Sequence, residues 1–180
     1  DLLVVSPSER QSYEAVLKCR DWAEAFSFAI SEQLDERDAP GALMKSATIV
    51  FPNKSRIIAV PGKPDTVRGF CAHVWMDEFA FFEDPDATWK AVFPSISNPL
   101  RGLKDLFVSS TANGKGGRGA RFYKIMAGGA KGWSTHTTTI LEAAPALGTD
   151  TAALREAIDD ESAWAQEYMC EFIDSTSVLL

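Results

Sequence analysis

Residues 73–78 constrain the fold more than any other segment, because a short apolar run there ends in two adjacent carboxylates, HVWMDE. An apolar run of this length predicts a strand buried on both faces, as in a parallel sheet. Asp77 and Glu78 would then lie at the carboxyl edge of that sheet, where nucleoside triphosphatases hold Mg²⁺ and the attacking water. Asp77 can hold the metal shell, and Glu78 can orient or deprotonate the water. The alternative is a strand that ends in a solvated acidic turn.

Other runs rich in apolar residues or threonine predict further strands, at residues 2–6, 47–51, 56–60, 106–110 and 133–140. The turn residues Pro-Asn-Lys-Ser between the second and third of these runs predict a hairpin. We expect Val4, Val74 and Val108 to lie on adjacent, parallel, buried strands, because continuous apolar runs joined by crossover segments are typical of such sheets.

Helices are predicted between the strands. The first begins after Ser8, which fits a capping box with Gln11. Apolar spacings of three and four residues predict its buried face, which consists of Ala15, Cys19, Trp22, Phe26 and Ile30, and the Asp-Ala-Pro-Gly run at residues 38–41 ends it. Further helices are predicted near residues 85–93, 120–126, 151–158 and 162–170. Strands that alternate with helices indicate a three-layer, mostly parallel α/β sheet.

The composition fits one globular domain of ordinary size. The chain has 180 residues, of which 46% are hydrophobic, enough to form a core. Its net charge of −7 excludes a surface that is basic all over but allows a local basic patch. Three scattered cysteines without a CxxC pair indicate reduced thiols in a cytosolic setting. No apolar run approaches the roughly 18 residues that a membrane span needs.

The glycine-rich segment at residues 114–119, GKGGRG, matches the GxGxxG pattern of dinucleotide-binding proteins. It follows a predicted strand and precedes a predicted helix, as that pattern requires. However, no acidic residue occurs about twenty residues later, since the next one is Glu142, and two basic residues lie inside the loop. We therefore interpret the segment as a mobile glycine loop at the same sheet edge as Asp77.

Two further features have both a functional and a structural interpretation. Ser109, Ser110 and Thr111 end the strand that follows the Asp-Glu strand, where hydroxyl groups can sense a γ-phosphate or simply satisfy the strand end. Arg68 lies nine residues before Asp77, where an arginine in a loop can reach a phosphate of its own chain or of a neighbour, or can be an ordinary surface residue.

In this order and spacing the motifs resemble a known family. The segments are LLVVSPSERQ, PGKPDTVRGF, HVWMDEFAFF, LFVSSTANGKGGRGARFY and QEYMCEFIDS. The chain is similar to the ATPase domain of the terminase large subunit of tailed phages. The resemblance implies an additional-strand P-loop NTPase fold of the RecA-like type, with ATP and Mg²⁺ as cofactors. It identifies Asp77 as the Walker B ligand of Mg²⁺, Glu78 as the catalytic glutamate, and Arg68 as an arginine finger. It assigns Ser109, Ser110 and Thr111 to the coupling motif.

The resemblance also implies partners and a location. Double-stranded DNA would be the moved substrate, the subunits would form a homo-oligomeric ring, and the portal protein and the small terminase subunit would be partners. The protein would act in the cytoplasm of the bacterial host, without a membrane.

The chain departs from the family at both ends. It contains no GxxxxGK[ST] motif, which in the family lies just upstream of the strand that begins here at Leu2. The carboxylates of the family's nuclease domain would lie after Leu180. We therefore expect residues 1–172 to be a partial motor domain, without the P-loop strand, and residues 173–180 to begin a linker. An intact relative would be an ATPase and a nuclease, whereas this chain alone should be neither.

The missing P-loop strand predicts a gap in the sheet between residues 106–110 and 133–140, and thus association along an unpaired edge. Two other interpretations of the whole chain stay open. One is a fragment of another P-loop motor or helicase, and the other is a non-enzymatic α/β module in which the acidic pair is only a strand end. A P-loop within about 60 residues upstream would exclude the non-enzymatic module, and spaced acids downstream would separate terminase from helicase.

Overall fold

The computed structural model of the protein describes residues 1–27, 31–36, 45–129 and 131–174. The chain forms two compact units, Asp1–Ser109 and Ser110–Leu180. The first unit contains the sheet and the Asp-Glu pair. The second contains the glycine-rich segment and the helices that follow it.

The sheet of the first unit has six strands in the order β2-β3-β4-β1-β5-β6. In chain order they are β1 Leu2–Ser6, β2 Ser31–Glu36, β3 Lys45–Val50, β4 Arg56–Pro61, β5 His73–Met76 and β6 Leu106–Val108. The strands β4, β1, β5 and β6 are parallel, and β2 and β3 join them as antiparallel neighbours. This confirms the mostly parallel sheet, the adjacent parallel strands of Val4, Val74 and Val108, and the hairpin between β3 and β4.

Both faces of the sheet are covered. Val4 and Trp75 share one face with the helix α1, Glu9–Ala25, which packs there through Val16. Val5 and Val74 alternate with these side chains in the strands and are also fully buried, so the sheet has a core on each side. Burial decreases at β6, the last strand, where Val108 is only half-buried and Phe107 is 55% exposed, so the prediction that this strand is buried was wrong.

The helix α1 begins as the sequence predicts and turns only part of the predicted face to the core. The Gln11 N–H donates to Ser8 Oγ at 3.3 Å, which confirms the cap. The buried residues are Ser12, Val16 and Ala23, whereas Trp22 and Phe26 are 65% and 67% exposed. The predicted face was thus wrong for both aromatic residues, whereas Ala15 and Cys19 pack against the core as predicted. Ile30 and residues 38–41 lie outside the described part of the chain.

One strand was missed and one was wrongly predicted. The strand β2 has the polar sequence SEQLDE, which shows no apolar alternation, and its antiparallel pairing with β3 defines it. Residues 133–139 form no strand. Most of their side chains are exposed, and Thr139 instead caps the helix α5, Ile140–Leu147, in a reciprocal capping box with Glu142. Residues with a high strand propensity do not form a strand where neither side of the segment can be buried.

The connection from β4 to β5 and the connection from β5 to β6 each contain an α-helix. The short α2, Pro64–Val67, follows β4, and α3, Pro85–Ile96, packs against it and extends the predicted helix by three residues. Thr88 Oγ1 donates to the Gly62 carbonyl at 2.8 Å. The contact ties the start of α3 to the end of β4, which is the end where Asp77 lies.

The second unit is mainly helical. Besides α5 it contains α4 Ala120–Lys124, α6 Thr151–Ile158 and α7 Glu161–Ala163. Wider helical turns follow α4 at Ile125–Gly129 and α7 at Trp164–Tyr168. The predicted helix at residues 151–158 is confirmed, and those near 120–126 and 162–170 each divide into a helix and a wider turn. Across the described residues, no helix is long and apolar enough to cross a membrane.

Candidate active site at the carboxyl edge of the sheet

Asp77 lies immediately after β5, at the carboxyl edge of the parallel strands. Its N–H donates to the Val5 carbonyl at 2.8 Å, which continues the ladder between β1 and β5 by one residue. Its carboxylate oxygen Oδ1 accepts a hydrogen bond from Ser109 Oγ at 2.9 Å. The carboxylate is therefore oriented by the neighbouring strand, unlike the carboxylate of a solvated acidic turn.

The N–H, the carbonyl and the hydroxyl group of Ser109 all form hydrogen bonds. Its N–H donates to the Met76 carbonyl at 3.0 Å, and its own carbonyl accepts from the Phe79 N–H at 3.2 Å. Its hydroxyl accepts from Trp75 Nε1 at 2.7 Å. A serine hydroxyl has one proton, and here that proton goes to Asp77. The result is a directed chain of hydrogen bonds from Trp75 through Ser109 to Asp77, across the ends of β5 and β6.

Glu78 has a left-handed backbone, with φ 52° and ψ 42°. For a residue other than glycine this conformation costs on the order of 1 kcal/mol or more and persists only where the surroundings enforce it. Phe79 and Phe82, which follow this residue, are fully buried and pack edge to face at 5.3 Å. Glu78 thus sits at a sharp, fixed turn directly after the carboxylate that Ser109 orients, and such strain is typical of functional sites.

Ser6, the last residue of β1, is a further polar group at this edge. It is fully buried, and its carbonyl accepts from the Gly62 N–H at 2.8 Å. Its hydroxyl, however, has no hydrogen-bond partner among the described residues. Buried polar groups are almost always satisfied, so an orphaned hydroxyl one residue beyond the Val5–Met76 pair fits a place that holds a water or a polar ligand.

The oxygen atoms at this edge could hold Mg²⁺ only together with further ligands, such as waters and substrate phosphates. Mg²⁺ prefers oxygen and is held in phosphate-transfer enzymes by one or two carboxylates, several waters and the phosphates of the substrate. Asp77 supplies one such carboxylate, and the hydroxyl of Ser6 lies at the same edge. The described residues contain no cluster of three or more His, Cys, Asp or Glu that could hold a metal. Asp77 therefore supplies one of the carboxylates that a Mg²⁺ site of this kind needs.

The structure does not join Arg68 to the acidic pair. Arg68 is exposed and directly follows α2, in the connection that leads back to the amino end of β5. The carbonyl of its neighbour Val67 accepts from Ser95 Oγ near the end of α3. Within the described chain its guanidinium forms no ion pair with Asp77 or Glu78. Of the predicted site residues, Asp77, Glu78 and Ser109 come together, whereas Ser110 and Thr111, both half-buried, belong to the second unit.

Sequence reasoning missed two residues of this edge. Trp75 was interpreted as part of an apolar strand, and Ser6 was not singled out. A signal for Trp75 was present, because residues two apart in a strand lie on the same face, which places Trp75 beside Asp77. The sequence contained no such signal for Ser6, because a small polar residue after three apolar residues is common at the end of a strand.

Comparisons with known proteins agree on the kind of protein. A family described as "Terminase large subunit, T4likevirus-type, N-terminal" matches residues 4–180. The fold also matches a solved structure of the large terminase from a thermophilic bacteriophage, with a TM-score of 0.64 at 11% sequence identity. That match covers 92% of this chain and 39% of the other, so this chain spans well under half the length of that terminase. No curated protein sequence matches this chain.

Proposed function

Because this chain belongs to the family of T4-type terminase large subunits, whose N-terminal part it matches, we propose that Asp77 and Glu78 hydrolyse ATP for DNA packaging. The family and the RecA-like α/β sheet make it part of a DNA-packaging motor. Membership in this family favours a terminase over a helicase or a non-enzymatic module. The observation that carries the assignment of residues is the hydrogen-bond chain from Trp75 through Ser109 to Asp77.

Asp77 is the proposed Walker B ligand of Mg²⁺. Ser109 donates to its Oδ1, so the direction of the carboxylate is set before any ligand arrives. A preorganised group of this kind needs no rearrangement during the reaction. Mg²⁺-bound ATP would supply the electrophilic γ-phosphorus and the charge neutralisation that phosphoryl transfer needs. Asp77 would hold the metal shell.

Glu78 is the proposed general base. It directly follows the metal ligand, and its fixed left-handed turn is the kind of strain that a packed core maintains at a site. In this role a Glu78 carboxylate oxygen accepts the proton of the attacking water. General bases of this kind contribute about 10²–10⁴-fold in rate.

The phosphate cradle must come from residues other than these 180, since none of them forms a GxxxxGK[ST] motif. We propose that the P-loop strand pairs with the outer side of β6. β6 is the last strand of the described sheet, and its residue Phe107 is 55% exposed. In this fold class the P-loop strand adjoins the coupling-motif strand, which here is β6. Residues 133–139, part of the second flank of the expected gap, do not form a strand, so the prediction of a gap between two strands was wrong, and β6 is the last strand of the described sheet.

Arg68, Ser110 and Thr111 have proposed roles away from the acidic pair. Arg68 is exposed and not paired with the acids of its own site, which suits an arginine finger that acts on a neighbouring subunit. Ser110 and Thr111 continue the chain directly from Ser109, which bonds to Asp77. In the proposed coupling motif they transmit the state of the γ-phosphate.

The remaining proposals concern the whole protein. Double-stranded DNA is the moved substrate, and a homo-oligomeric ring of subunits acts with the portal protein and the small terminase subunit in the host cytoplasm. Residues 1–172 are part of the motor domain, and residues 173–180 begin a linker to a nuclease domain. Family membership supports these assignments, which apply to the longer protein.

The test replaces each acid by its nearly isosteric amide in a full-length protein that includes a P-loop. We expect Glu78→Gln to bind ATP and to lose at least about 100-fold in turnover, because an amide cannot accept the proton. We expect Asp77→Asn to raise the Mg²⁺ concentration needed for half-maximal turnover. Asp65→Asn and Glu83→Gln, which change exposed acids of the same unit, are the controls and should keep full activity. Normal turnover in Glu78→Gln would refute its assignment as the base.

A further inference from the structure

The last described residues of the second unit return to the glycine-rich segment at residues 114–119. We call these last residues, 171–174, the strap. The strap begins with a hydrogen bond from the Glu171 N–H to the Ala165 carbonyl at 2.9 Å. Its last residue forms an ion pair with a lysine of the glycine-rich segment, 59 positions earlier in the chain. The fold of this unit therefore brings the two segments together.

An aromatic residue anchors the first half of the strap. The ring of Phe172 lies 5.8 Å from the ring of Phe122 and 5.1 Å from that of Tyr123, measured between centroids. Both partners belong to α4, and Phe122 is buried. Aromatic pairs at such distances stabilise a fold beyond the area that they bury. The strap is thus fixed to α4 at this residue.

The backbone of the strap then passes close to the first glycine of the segment. Gly114 has a left-handed backbone with φ 71°, and a Cβ added to it would lie 3.3 Å from the Ile173 carbonyl oxygen. A larger residue would be strained by that φ and would press on the strap. Glycine at this position therefore lets the strap approach the segment.

The end of the strap is held more weakly. Lys115 Nζ lies 3.0 Å from Asp174 Oδ2, and the two side chains are 40% and 51% exposed. The hydrogen bond to Asp174 raises the pKa of Lys115 above its ordinary value of 10.5, so the ammonium group is charged at neutral pH. A cavity of about 470 Å³ borders both residues, so this end does not pack into a core. Exposed ion pairs stabilise little and are screened by salt.

We propose that the ion pair between Lys115 and Asp174 is a latch that closes the end of the strap on the glycine-rich segment, and that ionic strength sets how often it is closed. Phe172 stays anchored in both states, whereas Ile173 and Asp174 leave the segment when the ion pair is screened. The glycine-rich segment follows the proposed coupling motif closely in sequence, so the latch limits the freedom of the backbone next to that motif. The inference concerns the second unit alone and goes beyond the proposed hydrolysis of ATP.

The experiment measures amide hydrogen exchange of the 180-residue protein by mass spectrometry at about 50 and about 500 mM KCl. The readout is the protection of peptides that cover the glycine-rich segment and the strap, relative to the unfolded chain. The test variants are Asp174→Asn, Lys115→Gln and the two changes together.

Two control variants remove one charge each from the same elements. Glu171→Gln changes an exposed acid of the strap, and Lys124→Gln changes an exposed lysine of α4. Within the described chain neither side chain forms an ion pair. Circular dichroism melts show whether every variant is folded.

In the wild type, protection of both segments should fall by about two- to fivefold at the higher salt concentration, the range that an exposed ion pair can produce. Asp174→Asn should show this lower protection already at low salt and should lose the response to salt. The double variant should exchange no faster than either single variant, because all three lack the same interaction. Both controls should behave like the wild type.

Protection that is independent of salt in the wild type, or that Asp174→Asn leaves intact, would overturn the proposal. An equal loss in Glu171→Gln would do the same. If a single variant unfolds, the exchanged pair Lys115→Asp with Asp174→Lys decides, since it restores the attraction and should regain wild-type protection and its response to salt. A folded exchanged pair without that protection would refute the latch. These outcomes are independent of ATP turnover in Asp77→Asn and Glu78→Gln, so the latch and the assignment of the acids fail separately.

Discussion

At Ser109 a single hydroxyl group satisfies two neighbours at once. It accepts from Trp75 Nε1 at 2.7 Å and donates to Asp77 Oδ1 at 2.9 Å. Removing it would leave a half-buried indole N–H without its partner and a carboxylate without its orientation. Ser109 is therefore a positioning residue, which acts on the chemistry through Asp77.

Ser109→Ala should destabilise the first unit and weaken the hold on Asp77. A buried donor left unsatisfied costs roughly 1–3 kcal/mol, and the half-buried indole should lie toward the lower end of that range. Urea unfolding followed by tryptophan fluorescence measures the change in free energy of unfolding. Ser97→Ala, at an exposed position after α3, is the control and should change that free energy by less than about 0.5 kcal/mol. Equal stabilities of the two variants would contradict the role assigned to Ser109.

The capping box of α5 begins a short helix at the end of the segment in which a strand was expected. The Thr139 N–H donates to Glu142 Oε2 at 2.7 Å, and the Glu142 N–H donates to Thr139 Oγ1 at 3.4 Å. The hydrogen bonds from the Thr139 backbone and side chain lower the pKa of Glu142 below its ordinary value of 4.5. At the other end Gly148 closes the helix in the left-handed region, with φ 65°. Both helix ends are thus specified locally.

This lowered pKa predicts a pH-dependent helix. A carboxylate whose pKa is lower in the folded state stabilises that state above the unfolded pKa, and the contribution disappears as the pH falls through the folded value. Glu142→Gln should therefore lower the melting temperature relative to wild type at about pH 7, and the difference should shrink as the pH falls below the ordinary pKa of 4.5. Thermal melts followed by circular dichroism over that pH range measure it. Glu156→Gln, an exposed change in α6, should show no such convergence. A difference that is constant with pH would contradict the capping role.

On the scale of the whole molecule, the described sheet ends at β6, and the acids of the site lie on the next strand inward. The chain spans 39% of the phage terminase that it matches in fold. We expect the 180 residues alone to hydrolyse no ATP, because they contain no GxxxxGK[ST] motif to bind the phosphates. A ring of longer subunits would bring the P-loop to β6 and the exposed Arg68 toward a neighbouring site.

If Arg68 acts on the site of a neighbouring subunit, mixing two kinds of variant subunit tests that role. In a full-length protein, Arg68→Ala should bind ATP but lose about 10³-fold or more in turnover, as expected for an arginine finger. Mixing it with Glu78→Gln subunits should restore part of the activity, because each variant supplies what the other lacks. Lys63→Ala, at an exposed position just before α2, is the control and should remain active alone. Mixed rings that form but stay inactive would refute a role in trans.

The sequence by itself determined what depends on local chemistry and on continuous apolar runs. The runs around Val4 and Val74 required buried parallel strands, and the order of those strands places Asp77 and Glu78 at the carboxyl edge. Ser8 predicted the start of α1, because the hydrogen bond of an N-cap joins residues that are close in sequence. The motif order around Asp77 indicated the terminase family.

Tertiary structure decided whatever depends on a partner distant in sequence. Pairing with β3 makes a strand of the polar β2, and Trp22 and Phe26 are exposed at the end of α1. Residues 133–139 have strand propensity but no face to bury, so they form none. The bond from Ser109 to Asp77 joins residues 32 positions apart and exists only because β5 and β6 pair in this register. The periodicity of apolar residues predicts which side chains can be buried. Only the folded chain shows which residues they pack against.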